Sequence, residues 1–211
     1  AHKENLAFYA NRDFCRFLDM PTQTSFPSLT NHFLVAMPEL RDPNFFQTVT
    51  LICQHDENGA LGVVINRPIE SLALHDVLSQ LELGVKMNQP AILEPVYAGG
   101  PVHNELGLVL HESLGAWQST IPVGEHMGLT SSRDVLESMV DGTGPKNALL
   151  SLGYAGWGAG QLESEIYQNS WLTVKAQPDL IFDTPPRERW EKSMEAMGLD
   201  LSRLASVAGH A

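Results

Sequence analysis

Residues 149–172 restrict the fold of the chain more than any other stretch, and they read LLSLGYAGWGAGQLESEIYQNSWL, with four glycines. An apolar run over 149–154 comes first, and the glycines stand at positions 153, 156, 158 and 160. A segment that begins Gln161-Leu162-Glu163 follows them. This order predicts a buried strand, a glycine loop and a helix. In the fold, a strand of the sheet must therefore lead directly into a helix through a connection whose residues have small side chains or none.

The glycine stretch has two interpretations. The first turn of a helix has unpaired backbone N–H groups that can bind an anion, so one interpretation is a ligand loop. Phosphate loops, however, carry a Lys or Arg, whereas this helix begins with Glu163 and Glu165. The second interpretation is tight packing of strand against helix around Tyr154 and Trp157, which need small neighbours. The missing basic residue favours packing over nucleotide binding.

Short strands are predicted from residue 32 onward. The segments HFLVAM, FQTVTLIC and ALGVVIN are apolar or alternating and rich in β-branched residues. The second and third are spaced as a hairpin with Asn58-Gly59 at its tip. Further strands are predicted over 94–97, 106–111, 117–122, 147–154 and 171–174.

Helices are predicted at irregular places between these strands. The first two cover 70–82 and 133–140, the second after a cap at Ser131 or Ser132. A terminal helix opens at Thr184-Pro185 and has Trp190, Met194 and Met197 on one side. A last short helix is capped by Asp200. Strands with irregularly interspersed helices indicate an α+β fold.

The first 28 residues differ from the rest of the chain. They have a short, loosely amphipathic pattern that ends in the turn-rich sequence PTQTSFPS. We predict an N-terminal extension and linker over 1–28 and a single folded domain over 29–211. The alternative is an N-terminal helix docked on the domain through Phe8, Phe14 and Phe17.

The charge balance disfavours nucleic acid as a direct partner. The chain has 13 Lys and Arg against 25 Asp and Glu, a formal net charge of −12. Such a surface repels phosphate backbones over a Debye length of about 8–10 Å. Direct binding of DNA or RNA would need a local basic patch, and the sequence contains none.

Metal, cofactor and membrane signals are also missing from the sequence. Cys15 and Cys53 have no CxxC spacing, and the eight histidines form no HxH or HExxH pattern, so neither a metal nor a cofactor is expected. No apolar run approaches the roughly 18–20 residues that span a bilayer, and no secretory signal pattern is present. We therefore expect a cytoplasmic protein that does not associate with membranes.

Several motifs in fixed order resemble the bacterial YqgE/AlgH family over residues 29–211. They are His32-Phe33-Leu34-Val35-Ala36-Met37-Pro38, Asp42-Pro43-Asn44-Phe45, Gly59-Ala60-Leu61-Gly62, Val64-Ile65-Asn66-Arg67-Pro68, Gly99-Gly100-Pro101-Val102, Leu152-Gly153-Tyr154-Ala155-Gly156-Trp157, Gly160-Gln161-Leu162-Glu163 and Asn169-Ser170-Trp171-Leu172. The extension before Leu29 departs from the usual start of the family.

The resemblance implies a fold but no reaction. It implies an α+β domain whose mixed sheets bend into a partly closed barrel, with helices packed on the outside. The family name comes from a link to the regulation of alginate synthesis, and no activity is securely attached to the family. The resemblance therefore leaves the biochemical function open.

Asn66 and Arg67 end a predicted strand, and Pro68 holds Arg67 in extended geometry. Arg67 is thereby expected to project its guanidinium from a strand end. An internal ion pair with Glu163 or Glu165 is favoured, and a bidentate clamp on a carboxylate ligand is the alternative.

Two further groups of residues have both a structural and a functional interpretation. Gly99-Gly100-Pro101 suits a tight turn at least as well as an oxyanion hole. Cys53 and His55 stand two apart on a strand and are predicted to share a face, where the histidine would activate the thiol. A small buried cysteine is the favoured interpretation.

The sequence supports two hypotheses about function. The first is a regulatory or interaction module that binds a protein or a small molecule, and the second is an enzyme of unknown substrate built around Asn66, Arg67, Gln161 and Glu163. Direct transcriptional control through DNA fits the family name but not the charge. The candidate ligand-binding residues are His55, Asn66, Arg67, Gly99, Gly100, Tyr154, Trp157, Gln161 and Glu163.

Overall fold

Strands form most of the regular structure in the computed structural model, which describes residues 6–8, 27–84 and 94–199. The strands are β1 (His32–Ala36), β2 (Val49–Asp56), β3 (Gly59–Val64), β4 (Pro68–Ala73), β5 (Pro95–Ala98), β6 (Val102–Glu112), β7 (Thr120–Val123), β8 (Met127–Thr130), β9 (Ala148–Gly158) and β10 (Trp171–Lys175). The helices are α1 (Leu74–Gln80), α2 (Arg133–Asp141), α3 (Gln161–Tyr167), α4 (Pro178–Phe182) and α5 (Arg189–Ala196), with a 3₁₀ turn over Pro186–Glu188.

The sheet is mixed and curls into a half-barrel. Its order is β10-β1-β2-β3-β9-β6-β8-β7, with β4 paired to β5 and β5 paired parallel to β9. The curl brings β2 against β7. Strand β9 is the junction, because it pairs with β3, β5 and β6. This arrangement confirms the predicted α+β class and its bent, partly closed sheet.

Alternating side chains of the strands feed separate apolar clusters on the two faces of the sheet. Phe33, Leu51 and Leu61 belong to the main core, which α4 and α5 help to close. Their neighbours Leu34 and Ile52 belong to a second cluster, which α3 and the connection from β1 to β2 cover. A third cluster packs α1 and α2 against β5, β6 and β9. The period of two along each strand thus gives both faces a helical cover.

The predicted hairpin is present between β2 and β3. Asp56 pairs with Gly59, so the turn is Glu57-Asn58, one residue earlier than the predicted tip at Asn58-Gly59. The Asp56 carboxylate accepts the Asn58 N–H at 2.7 Å, and Gly59 has a φ of +138° that a side chain would strain.

The predicted glycine loop is instead part of a strand. Strand β9 continues through Gly153, Gly156 and Gly158, and only Gly160 lies outside it. The reason is close approach of neighbouring backbone: a β-carbon at Gly153 would lie 2.7 Å from Gly100 O and 2.9 Å from Val102 O. Gly153 therefore serves the packing of the sheet, whereas a β-carbon at Gly156 or Gly158 would make only ordinary contacts with side chains.

The helices agree with the sequence at one place and differ from it at another. Helix α2 begins after Ser132 and ends at Gly142, which has the left-handed conformation expected there. The helix predicted over 70–82 is shorter: its first residues belong to β4, and α1 begins at Leu74. The Asp76 carboxylate accepts the Ala73 N–H at 2.9 Å, which sets this start.

Both ends of the chain extend past the described residues. Trp190 and Met194, two of the three residues predicted on one side of the terminal helix, are buried on α5, which begins at Arg189 and ends before Met197. The helix predicted after Asp200 lies outside the described ranges. Near the N-terminus, Ala7 forms a parallel bridge with Leu106. The boundary at Leu29 stays a prediction. In the described ranges, no helix is long and apolar enough to cross a bilayer.

Candidate functional site

The Glu165 carboxylate on α3 accepts three N–H donors. Trp157 Nε1 and Trp171 Nε1 both donate to Oε2, at 2.9 and 2.8 Å. Gln161 Nε2, one helical turn earlier, donates to Oε1 at 2.9 Å. Both tryptophans are buried, and their indole N–H groups would lack a partner without this carboxylate. Glu165 therefore ties α3 to β9 and β10.

The two tryptophans and Phe45 form an aromatic cluster. The ring of Phe45 lies 5.3 Å from that of Trp171 in an edge-on arrangement and 6.2 Å from that of Trp157. Phe45 belongs to residues 37–48, the connection from β1 to β2, which we call the 37–48 loop. The Met37 N–H also donates to Ser170 O at 3.1 Å. The 37–48 loop thus adjoins the turn that follows α3.

Arg67 fixes the 37–48 loop by donating to two of its main-chain carbonyls. Its Nη1 donates to Pro43 O at 2.7 Å and its Nη2 to Phe46 O at 2.9 Å. These bonds take the place of the expected ion pair with Glu163 or Glu165. Burial lowers the pKa of Arg67, and the negative charge of Asp42 opposes that effect. The rigid, planar guanidinium holds its N–H donors at fixed positions, so Nη1 and Nη2 can donate to two carbonyls of one loop at once.

Asn66 performs a similar task on the adjacent backbone. Its Oδ1 accepts the Val49 N–H at 2.8 Å, and its Nδ2 donates to Gln47 O at 2.9 Å. The side chain therefore joins the end of β3 to the start of β2. Both residues of the Asn66-Arg67 motif bind main chain.

His55 and Glu163, two of the candidate ligand-binding residues, contact each other in the structure. His55 Nε2 lies 2.8 Å from Glu163 Oε1, and the ring is buried while the carboxylate side chain is 43% exposed. The Leu29 N–H donates to His55 Nδ1 at 3.0 Å. Because Nδ1 accepts that bond, the ring proton lies on Nε2 and is donated to Glu163.

Cys53 and His55 do not share a face, contrary to the prediction. The pairing of β2 with β3 shifts between Ile52 and Gln54, which marks a β-bulge. Cys53 consequently points into the main core, whereas the His55 ring reaches α3. Burial raises the pKa of the Cys53 thiol far above its ordinary value. The cysteine is a core residue that His55 does not activate.

Gly99 and Gly100 form the turn between β5 and β6, as the structural interpretation predicted. The Gly99 N–H donates to Leu152 O at 2.8 Å, so it is engaged in the sheet. A β-carbon at Gly99 would overlap Gly153 O, and one at Gly100 would overlap the main chain of Tyr154. Tyr154 itself is buried in the core, with its ring 6.0 Å from that of His103.

The predicted residues thus separate into three groups. The first group lies on or against α3: His55, Trp157, Gln161 and Glu163. The second, Asn66 and Arg67, binds the main chain of the 37–48 loop and its neighbour Val49. The third lies at the turn from β5 to β6: Gly99, Gly100 and Tyr154.

None of these residues lines a cavity of about 130 Å³ near Leu74, Pro95, Met139 and Phe182. Within the described ranges, no three His, Cys, Asp or Glu side chains are grouped as metal ligands would be.

Sequence reasoning missed Phe45, Trp171 and the role of Glu165. The first two lie in the motifs Asp42-Pro43-Asn44-Phe45 and Asn169-Ser170-Trp171-Leu172. Two tryptophans and a phenylalanine in three separate motifs were the available signal, since buried indoles need an acceptor.

A family model described as AlgH-like, a domain of unknown function, matches residues 33–202. A UPF0301 protein of Methylococcus capsulatus is 52% identical over 182 residues, which cover 86% of this chain and 96% of that protein. A UPF0301 protein of Thioalkalivibrio sulfidiphilus is 50% identical over 188 residues, covering 89% and 100%.

Two solved structures share the fold. The solution structure of the AlgH protein from Pseudomonas aeruginosa matches with a TM-score of 0.71 at 47% identity, covering 90% of this chain and all of that one. A crystal structure of a Corynebacterium diphtheriae protein matches with a TM-score of 0.62 at 21% identity, covering 89% and 94%, and shows the fold alone. The motif order, the half-barrel and these matches agree: the chain belongs to the AlgH-like family.

Proposed function

We propose that this chain is a cytoplasmic regulatory or interaction module that binds a protein partner through the surface of the 37–48 loop and α3. One observation carries the proposal: Phe46 and Tyr167 are exposed by 45% and 89% on these two adjoining segments. Aromatic side chains are enriched at protein interfaces, and Tyr is among the residues that most often dominate the binding energy there.

The residues beneath this surface support a binding role because they make it rigid. Arg67 holds the loop at Pro43 and Phe46, and Glu165 holds α3 to the two tryptophans. A surface fixed before binding loses less conformational freedom when the partner docks. On this proposal, the motif side chains act as the support of an interface.

The charge of the chain supports a protein partner that carries Lys and Arg. A net charge of −12 attracts basic proteins and repels nucleic acid at a distance. Control of transcription, which the family resemblance implies, would then pass through a second protein and would not require this chain to touch DNA.

Site-specific photo-crosslinking in cells of the source bacterium tests the proposal. A photoreactive amino acid is placed at position 46, 167 or 114, because Leu114 is an exposed apolar residue, 42% exposed, in a different segment. We expect the same protein to be captured from positions 46 and 167 but not from 114. The captured protein is then purified and its Kd measured.

Two variants give the decisive comparison with that purified partner. Phe46→Ser with Tyr167→Ser should raise the Kd at least tenfold, and Leu114→Ser should leave it within twofold. Equal weakening by Leu114→Ser, or an unchanged Kd for the double variant, would contradict the proposal.

An enzyme of unknown substrate is the second candidate, and the contact between His55 and Glu163 favours it. Its support is weaker, since Nδ1 accepts the Leu29 N–H and Nε2 donates to Glu163, so neither ring nitrogen offers a lone pair to a substrate. Glu163 would have to be the base. Screening the native chain and Glu163→Gln against a substrate library would decide: turnover that the substitution abolishes, with the fold intact, would favour the enzyme.

A further inference from the structure

Residues 6–8 contact β6 through one parallel bridge, between Ala7 and Leu106. The Ala7 N–H donates to Glu105 O at 2.9 Å, and the Gly107 N–H donates to Ala7 O at 3.0 Å. Ala7 is thereby buried, although it precedes the part of the chain that matches the family. An extended segment that binds a sheet edge through its main chain is a recurrent mode of peptide recognition.

Gly107 creates the space for the side chain that follows Ala7. A β-carbon at Gly107 would overlap the ring of Phe8, so the ring occupies the volume that any larger residue would fill. Leu6 and Phe8 are partly buried and pack on the cluster that contains Val109, Leu150 and Trp117. Because alternate residues of an extended segment share a face, Leu6 and Phe8 contact this apolar surface while Ala7 makes the main-chain bonds.

The edge of β6 near Gly107 lies inside the matched family domain, and its occupant lies outside it. Leu6-Ala7-Phe8 therefore contacts β6 as a bound peptide would, although it belongs to the same chain. A tethered segment competes with a free peptide at the effective concentration that its tether sets.

We propose that the edge of β6 around Glu105–Gly107 is a peptide-binding site for an extended segment with an apolar–small–aromatic pattern. Residues 6–8 fill this site in cis, and a partner peptide must displace them. The site is separate from the surface of the 37–48 loop and α3, and it acts as a second docking point that the N-terminal extension regulates.

The test uses a fluorescent peptide with the sequence of residues 1–12, AHKENLAFYANR, and the full-length chain. Binding is followed by fluorescence anisotropy for the wild-type chain and for Phe8→Ala, which weakens the segment held in cis. We expect the Phe8→Ala chain to bind the peptide at least tenfold more tightly than the wild type. A peptide carrying Phe8→Ala, and a scrambled peptide, should bind neither chain measurably.

A second substitution locates the binding. In the Phe8→Ala chain, Gly107→Leu fills the space for the ring and should abolish peptide binding. Gly84→Leu is the matched control, because a side chain there meets nothing within 4 Å. Thermal unfolding checks that both variants keep the native fold.

Amide hydrogen exchange at Gly107 provides a measurement that does not depend on the Gly107 variant. Exchange should be faster in Phe8→Ala than in the wild type, and excess peptide should slow it again. The proposal is overturned if Phe8→Ala binds the peptide no more tightly than the wild type, if the scrambled peptide binds equally well, or if the peptide leaves exchange at Gly107 unchanged.

Discussion

Glu165 is the residue on which the packing of α3 depends most. Its carboxylate accepts both indole N–H groups and the Gln161 amide, and no neutral apolar side chain can replace it. A buried donor left without a partner costs about 1–3 kcal/mol.

Glu165→Ala should therefore lower the free energy of unfolding by about 2–5 kcal/mol, since two buried indole N–H groups lose their acceptor. Urea denaturation followed by tryptophan fluorescence measures the change. Ser164→Ala on the same helix removes only an exposed bond to Gln168 and should change the free energy by less than about 0.5 kcal/mol. Equal losses from the two substitutions would show that the carboxylate has no special role.

His111 is a second residue whose environment determines a measurable property. Its ring is fully buried, with Nδ1 2.8 Å from Ser113 O and Nε2 2.8 Å from Thr130 Oγ1. The carbonyl can only accept, so Nδ1 carries the proton and Nε2 accepts from the hydroxyl in the neutral ring. Burial lowers the pKa of His111 below its ordinary value of 6.5.

This lowered pKa predicts a loss of stability on acidification. As the pH falls below about 6.5, the unfolded chain takes up a proton at His111 before the folded chain does, so the free energy of unfolding decreases. The slope from this one group is at most about 1.4 kcal/mol per pH unit. Unfolding of the wild type and of His111→Gln between pH 7.5 and 5.5 should show the smaller slope in the variant. Titration of His111 by NMR with a midpoint above 6.5 would contradict this account.

At the scale of elements, the 37–48 loop is fixed by a strand end and not by its own regular structure. Arg67 donates to two of its carbonyls, Asn66 binds Gln47 O, and Phe45 inserts against two tryptophans. The loop therefore behaves as part of the layer that covers the outer face of the sheet.

Arg67→Met should free this loop while leaving the strands intact. We expect a loss of about 1–3 kcal/mol in the free energy of unfolding, because bonds from a charged donor are lost. Acrylamide should quench the fluorescence of Trp157 and Trp171 more strongly once Phe45 is loosened. Arg41→Met changes an exposed cation of the same loop and should alter neither measurement.

The elements that sequence reasoning predicted well are those whose signals are local. The hairpin of β2 and β3 and the boundaries of α2 depend on turn and cap residues that act within a few positions. The glycines of β9 were predicted to form a loop, although Gly153 lies in the strand, where it admits the backbone of Gly100 and Val102, which are distant in sequence.

The candidate site was less predictable than the fold, for two physical reasons. Main-chain carbonyls of any residue can accept from Arg67, so its acceptors at Pro43 and Phe46 have no signature in the sequence. One extra residue at the bulge of β2 turns His55 to the opposite face from Cys53, and a bulge changes every face assignment that follows it.

At the scale of the whole molecule, β9 joins the two parts of the sheet. It pairs with β3 through residues 155–158, with β5 at 151–152 and with β6 mainly over 148–152. The order of strands leaves β3 and β6 without a direct pairing to each other. Without β9, no strand pairing joins β3 to β5 or to β6.

A chain that ends at residue 147 should therefore fail to fold cooperatively, although it contains eight of the ten strands of the described sheet. Circular dichroism melting should show no sharp transition, and amide exchange should be fast throughout. A chain that ends at residue 202, the last position of the family match, is the control and should melt like the full chain. A cooperative melt of the shorter chain would contradict the role given to β9.

The position of β9 in the chain has a consequence for biosynthesis. The ribosome completes β3, β5 and β6 before it adds residues 148–158. Until then, the nascent polypeptide carries strand edges whose N–H and C=O groups await their neighbour, and such edges pair readily with other chains. The time that the ribosome takes to translate the segment between β8 and β9 is therefore the period in which these edges are open to pairing with other chains.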